Sequence, residues 1–224
     1  MKLAFVYVDG HNLYHGAVRD VPELKWLDMT RLASQLLGRG YNVGEVNYYT
    51  AVVVDSAADP HQSQRQGHYL RALEATGVKV ERGHFREQQK RVRLIDGSTA
   101  EAAILEEKRT DVSMATDLSW DAAQRRMDTA LVISNDGDFV HAVRRAKQTV
   151  EVITVNPHRL RKRRRSKAPG ERTNHPLGAH ASLDGHDKRQ LRVKHLWDSQ
   201  LPDVVTATNG ESFRRPTAWH APNT

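Results

Sequence analysis

The amino-acid sequence predicts an α/β fold of three layers, with a central, mostly parallel sheet of about five strands covered by helices on both sides. Two observations predict it. Short apolar, β-rich runs alternate along the chain with stretches of helical spacing, and the first run, Leu3 to Val8, is apolar without a break. A continuous apolar run marks a strand buried on both faces, as in a parallel sheet. Helix-length connections between such strands imply right-handed crossovers.

The elements follow in order. The first strand stops at Asp9-Gly10. From Asp28 the spacing turns helical: Met29, Leu32, Ala33, Leu36 and Leu37 form one apolar stripe, which Gly38 and Gly40 end. Val46 to Val54 reads as a second strand. Asp59-Pro60 reads as the cap and first turn of a helix that carries Tyr69, Leu70 and Leu73 to a stop at Gly77. Val78 to Phe85 is a third, more exposed strand, and the charged stretch Arg86 to Gly97 predicts a hairpin over the sheet edge. A helix from Asp111 turns Val112, Met114, Ala115 and Leu118 inward. Ala130 to Ile133 is a fourth strand; it runs into Ser134-Asn135-Asp136-Gly137-Asp138-Phe139, where a helix begins with Phe139, Val140, Val143 and Ala146 on its inner face. Val150 to Val155 is the fifth strand.

These elements place a domain at residues 1–156. Residues 157–190 are rich in basic residues, His, Gly and Pro, with almost no apolar spacing, and read as a basic linker or loop. Residues 191–224 recover some pattern: Leu191, Val193, Leu196 and Trp197, then Val204-Val205 and Trp219, predict an extension that returns to pack on the core.

Composition narrows the function. Of 224 residues 38% are hydrophobic, and the mean hydropathy of -0.66 implies solvated segments. The absence of cysteine excludes disulfides, zinc knuckles and thiol catalysis. No apolar stretch approaches the roughly 18 residues of a membrane span, and the amino terminus lacks the order of a secretion signal, so a soluble, cytoplasmic protein is expected. The net charge is +7, and Arg159 to Lys167 holds seven basic residues and no acid, so the rest of the chain sums to zero. The excess suggests a polyanionic partner.

In an open α/β sheet, ligands bind at the carboxyl ends of the strands, where strand order reverses. Asp9 follows the first strand and Asp136 the fourth, and Asp111, at the start of a helix, is within reach of the same crevice. Taken singly, Asp9-Gly10 reads as a turn, Asp111 as a helix cap, and Asp136 or Asp138 as a cap and first-turn acid. Taken together, converging carboxylates repel unless a cation neutralises them, and oxygen donors without Cys or a spaced His cluster favour Mg²⁺ or Mn²⁺ over Zn²⁺. Mg²⁺ takes one or two carboxylates and keeps room for phosphate oxygens, which suits cutting a phosphodiester with an activated water.

Three blocks resemble the motifs of NYN domains, the LabA-like branch of the PIN-like nuclease superfamily. They are Phe5-Val6-Tyr7-Val8-Asp9-Gly10-His11-Asn12-Leu13-Tyr14, then Lys108 to Leu118 with Asp111 and Asp117, and Val132-Ile133-Ser134-Asn135-Asp136-Gly137-Asp138-Phe139. Tyr48-Tyr49, Tyr69-Leu70 and Gly83-His84-Phe85 fit the spacing between them, and the likeness covers about residues 1 to 155, with a weaker echo at Arg215-Pro216 and Trp219. The resemblance implies a PIN-like fold and a metal-dependent endoribonuclease. It implies a Mg²⁺ or Mn²⁺ site from Asp9, Asp111 and Asp136, with Asp117 and Asp138 as further acidic positions and Asn12 orienting water or phosphate. Asp117 ranks second, because six residues past Asp111 is about 600° around a helix. Asn135 stands where the family more often has Gly; Asn tolerates a left-handed turn.

Lys108 and the run with Arg161, Lys162, Arg163, Arg164 and Arg165 are the expected phosphate contacts, giving salt-dependent, sequence-independent affinity for single-stranded or structured RNA. Two rivals stand beside hydrolysis: an RNA-binding or regulatory protein that keeps the fold without turnover, and a phosphoesterase of small substrates, against which the basic run speaks. The sequence leaves oligomeric state open, a homodimer included.

Overall fold

Strand β1 (Lys2–Asp9) sits at the centre of the sheet with both faces covered: Ala4, Val6 and Val8 enter one apolar core, Phe5 and Tyr7 the other. In the computed structural model, which describes residues 1–158 and 183–221, the sheet has seven strands in the order β4-β3-β2-β1-β5-β6-β7. These are β2 (Tyr41–Ala51), β3 (Lys79–Arg93), β4 (Thr99–Lys108), β5 (Thr129–Ile133), β6 (Glu151–Val155) and β7 (Asp187–Arg189). All neighbours run parallel except β3 and β4.

The fold class is the one the sequence predicts, with more than the five strands expected. The extra ones are edges. β4 returns along β3 from Arg93↔Thr99 to His84↔Lys108, so the charged stretch is a hairpin longer than its sequence suggested. β7 reads Asp-Lys-Arg and carries no apolar signal at all.

Chain order places β2 and β3 on one side of β1 and β5 and β6 on the other, so strand order reverses between β1 and β5. Their tips are in register, with Val8 opposite Ile133. The crevice of an open α/β sheet lies at that reversal.

Helices α2 (Met29–Leu37) and α3 (Gln62–Ala75) cover the face bearing Val6 and Val8; α4 (Thr110–Ala123) and α5 (Val140–Ala146) cover the other. The side chain of Asp28 caps α2 by accepting the Arg31 N–H at 2.9 Å, and Gly38, at φ 70, ends the helix. Helix α3 starts two residues later than Asp59-Pro60 suggested, because those residues close a turn on Ser56. In α4, Met114 and Leu118 are buried but Val112 is 71% exposed; it stands about 200° around the helix from Met114 and shares no face with it.

The C-terminal segment adds α6 (Val193–Asp198) and a hairpin of β8 (Val204–Thr206) with β9 (Ser212–Arg214). Leu191, Leu196, Leu201, Val205, Phe213 and Trp219 join the core beneath α2 and α3. Backbone bonds stitch the segment to the loop before α2: Asp28 N–H to Ser199 O at 2.8 Å and Leu201 N–H to Trp26 O at 2.9 Å. Val193 and Trp197, expected to pack inward, face solvent instead. The basic run Arg159 to Lys167 lies outside the described residues. Among those described, no helix is long and apolar enough to cross a membrane.

Candidate active site

Asp9 ends β1 and opens a four-residue helix, α1 (Gly10–Leu13). Its Oδ1 accepts the Asn12 backbone N–H at 2.9 Å, and its Oδ2 accepts the Ser134 hydroxyl at 2.8 Å. The residue is 7% exposed. Burial pushes its carboxyl above the usual carboxylate range; the two hydrogen bonds and His11 pull it back, and the negative charge of Asp136 pushes it further up.

Ser134, the first residue after β5, ties the two acids together. It donates to Asp9 and accepts the Asp136 backbone N–H at 3.0 Å. Asp136 in turn accepts the Asp138 N–H at 3.0 Å and caps a short 3₁₀ turn, so the modest reading of it as a cap is also fulfilled. Sequence reasoning missed Ser134; its place between a buried strand and an acidic turn was the available signal.

A row of amides locks the strand tips. Asn12 Oδ1 accepts the Asn135 N–H at 3.1 Å, and Asn135 Oδ1 accepts Asn156 Nδ2 at 2.7 Å, linking the ends of β1, β5 and β6. Asn12 therefore spends its carbonyl on positioning. Asn135 does not adopt positive φ, so tolerance of a left-handed turn is not why Asn stands there; its side chain serves as a bridge.

The remaining acids are placed separately. Asp111 lies exposed in the first turn of α4, which the chain enters through Arg109 at φ 88. Asp117 accepts the hydroxyl of the buried Tyr49 at 2.8 Å, and Tyr49 is the β2 partner of Asp9. Asp138 is exposed, and Lys108 ends β4 opposite His84. Among the described residues no three His, Asp or Glu side chains gather into a metal-binding group. The trio of Asp9, Asp111 and Asp136 therefore does not close as one cluster: β1 and β5 are paired and deliver two of them, whereas Asp111 comes from the start of a helix fed by the edge hairpin. Two converging carboxylates still match the number a Mg²⁺ ion takes from protein.

The α2 and α3 side of the same strand tips holds a cavity of about 370 Å³. Gly10 and His11 reach it from the motif; Tyr48, Tyr69 and Trp219 supply aromatic walls. Gly10 is required there, since a Cβ would stand 2.7 Å from Tyr48 Cζ and 2.8 Å from the Tyr49 carbonyl oxygen.

Comparison with known proteins supplies relatives. The chain is 27% identical over 183 residues to 6-hydroxy-3-succinoylpyridine 3-monooxygenase of Pseudomonas putida, an alignment covering 68% of this chain and 58% of that protein. It is similar to a solved Vibrio parahaemolyticus protein of unknown function, at 20% identity and a TM-score of 0.40, over 69% of this chain and 80% of that one. The model of the NYN domain matches residues 4–169, a span that runs from within β1 past β6 and holds Asp9, Asp111, Asp117, Asp136 and Asp138, and on that match the chain belongs to the NYN domain family.

Proposed function

We propose that the protein hydrolyses phosphodiester bonds of RNA at the crevice between β1 and β5, with Mg²⁺ or Mn²⁺ held by Asp9 and Asp136. The observation that carries this reading is the pair of carboxylates joined through Ser134, one of them buried and pushed toward its neutral form. Such a pair is at ease only with a cation beside it. A cation bound there supplies Lewis-acid stabilisation of charge on the phosphoryl group and activation of water.

The chain's own groups have separate tasks. Asp9 and Asp136 bind, while Ser134 and the Asn12 backbone hold the Asp9 carboxylate in one orientation. Asn12 and Asn135 keep the β1 and β5 tips at fixed separation. Asp111 and Asp117 add negative potential from α4, and Asp138 holds the turn behind Asp136. Lys108 and the run Arg161 to Arg165 would hold the strand by its phosphates. The test incubates RNA with the protein and Asp136→Asn in Mg²⁺, Mn²⁺ or EDTA. Loss of one electrostatic group is expected to lower the rate at least about 100-fold; equal products from both proteins would end the reading.

The name of the Pseudomonas putida relative suggests a second reading, action on a small hydroxylated pyridine. The cavity beside Gly10 favours it, being sized for one ring and its substituent. Product formation from such a pyridine, with RNA left intact, would select it.

A further inference from the structure

The hydrolytic reading uses one side of the β1 tip and leaves the cavity on the other side without a task. Its volume of about 370 Å³ falls in the range of roughly 300–1,000 Å³ typical of small-ligand sites. Its wall combines aromatic rings with a cationic rim, and two observations point to a ligand.

The first is Tyr48. It is 7% exposed, and its hydroxyl makes no hydrogen bond among the described residues. Its neighbours differ: the Tyr49 hydroxyl donates to Asp117 at 2.8 Å and that of Tyr69 to the Leu27 carbonyl at 3.0 Å. The enclosed polar atoms left without a partner among the described residues are Ser199 Oγ and Arg215 Nε, not this oxygen, so the Tyr48 hydroxyl opens on the cavity as an available donor. Burial and the nearby Asp9 charge raise the Tyr48 phenol above its ordinary value, so it faces the cavity as a neutral donor.

The second is Lys25, at the cavity rim. The other rim cations are taken, Arg65 by Asp59 and Arg19 by Asp20 at 3.0 Å. Lys25 makes no ion pair among the described residues and lies over the Tyr14 ring at 5.3 Å. An ammonium over an aromatic ring, lining the same cavity as an available hydroxyl, suits an anion attached to something planar; its charge is also felt by the Asp59 carboxylate on the same wall.

We propose that this cavity binds a planar nitrogen heteroaromatic ring bearing an anionic group, with a ring acceptor taking the Tyr48 hydroxyl and the anion meeting Lys25. The ring lies against the edge-to-face pair Tyr48 and Tyr69, whose centroids are 6.4 Å apart. Two sources share this chemistry: one nucleotide of an RNA strand, whose next phosphodiester would cross the β1 tip toward Asp9, or a free heteroaromatic acid. The strand source rests on the hydrolytic reading and the free acid on the pyridine reading, and the arms of the test separate the two.

The test titrates the full chain, in EDTA so that hydrolysis plays no part, with uridine or adenosine 5′-monophosphate and, separately, with a hydroxypyridine carboxylate. Tryptophan emission reports binding, because Trp219 lines the cavity and Trp26 lies 6.1 Å from it. Saturable binding of either probe is expected, weakened about tenfold by Tyr48→Phe and by Lys25→Gln, the usual effect of one lost hydrogen bond or charge contact. Lys25 stands at the rim, so its variant keeps the test valid should Tyr48→Phe fold poorly. Binding of the nucleotides alone assigns the site to a strand, and binding of the carboxylate alone to a small molecule. Absence of saturable binding for every probe, or binding unchanged in both variants, overturns the proposal.

Discussion

Asp9 carries opposing demands. Two hydrogen bonds favour its charge, yet burial disfavours it more, and the carboxyl is raised from its ordinary 3.8. A group raised in the folded state contributes stability that is complete below the unfolded value and lost as pH rises through the folded one. Without divalent cations, the melting temperature should therefore fall as pH climbs from about 4 through that raised value. Asp9→Asn should flatten this part of the profile, and Mn²⁺ should restore stability on its alkaline side; superimposable profiles of the two proteins would refute the assignment. At the next residue, Gly10→Ala would drive a methyl against Tyr48 and the Tyr49 carbonyl, costing about 1–3 kcal/mol in denaturant titrations. Asp9 and Asp136 were legible in the sequence because each lies just past an apolar run, Asp9 directly after Val8 and Asp136 three residues after Ile133. Ser134 and Asn135 were not, since their partners meet them only once β1 and β5 are paired.

Among the elements, α4 shows how a helix is anchored where sequence pattern is silent. Its buried Asp121 accepts the Tyr7 hydroxyl at 2.7 Å from β1 and pairs with Arg126 at 2.6 Å. Asp121→Ala would leave the Tyr7 hydroxyl only the Met127 sulfur at 3.6 Å, while Arg126 keeps Glu45 at 2.9 Å, and a loss of about 1–3 kcal/mol is expected from equilibrium unfolding. A loss below about 0.5 kcal/mol would show that the pair is ornamental. Strands β1, β5 and β6 were readable because both their faces are apolar, which is what a central position demands. β4 and β7 escaped because edge strands keep charge, which blunts unwanted pairing and erases the alternation that reveals a strand.

For the whole molecule, the segment from Leu191 onward matters as much as the motifs. Leu191, Leu196, Leu201, Val205, Phe213 and Trp219 share a core with α2 and α3, and Trp26 donates its indole N–H to the Pro202 carbonyl at 2.8 Å. Burying a large apolar side chain is worth about 1.5–3 kcal/mol, so six of them rival the net stability of a domain. A chain ending at Gln190 should therefore lack a cooperative thermal transition by circular dichroism; retention of the full-length midpoint would contradict this packing. The sequence announced Leu191, Leu196, Val205 and Trp219 within apolar clusters but not Leu201 or Phe213, and which helices they meet depends on the loop before α2, whose backbone the segment completes.

Trp219 is at once a wall of the cavity and a late anchor of the tail. Whatever settles against it also steadies the segment from Leu191 to Trp219, and by reciprocity a loosened segment empties the chamber. Resistance of that segment to limited proteolysis thus becomes a label-free gauge of occupancy, rising as the compartment fills.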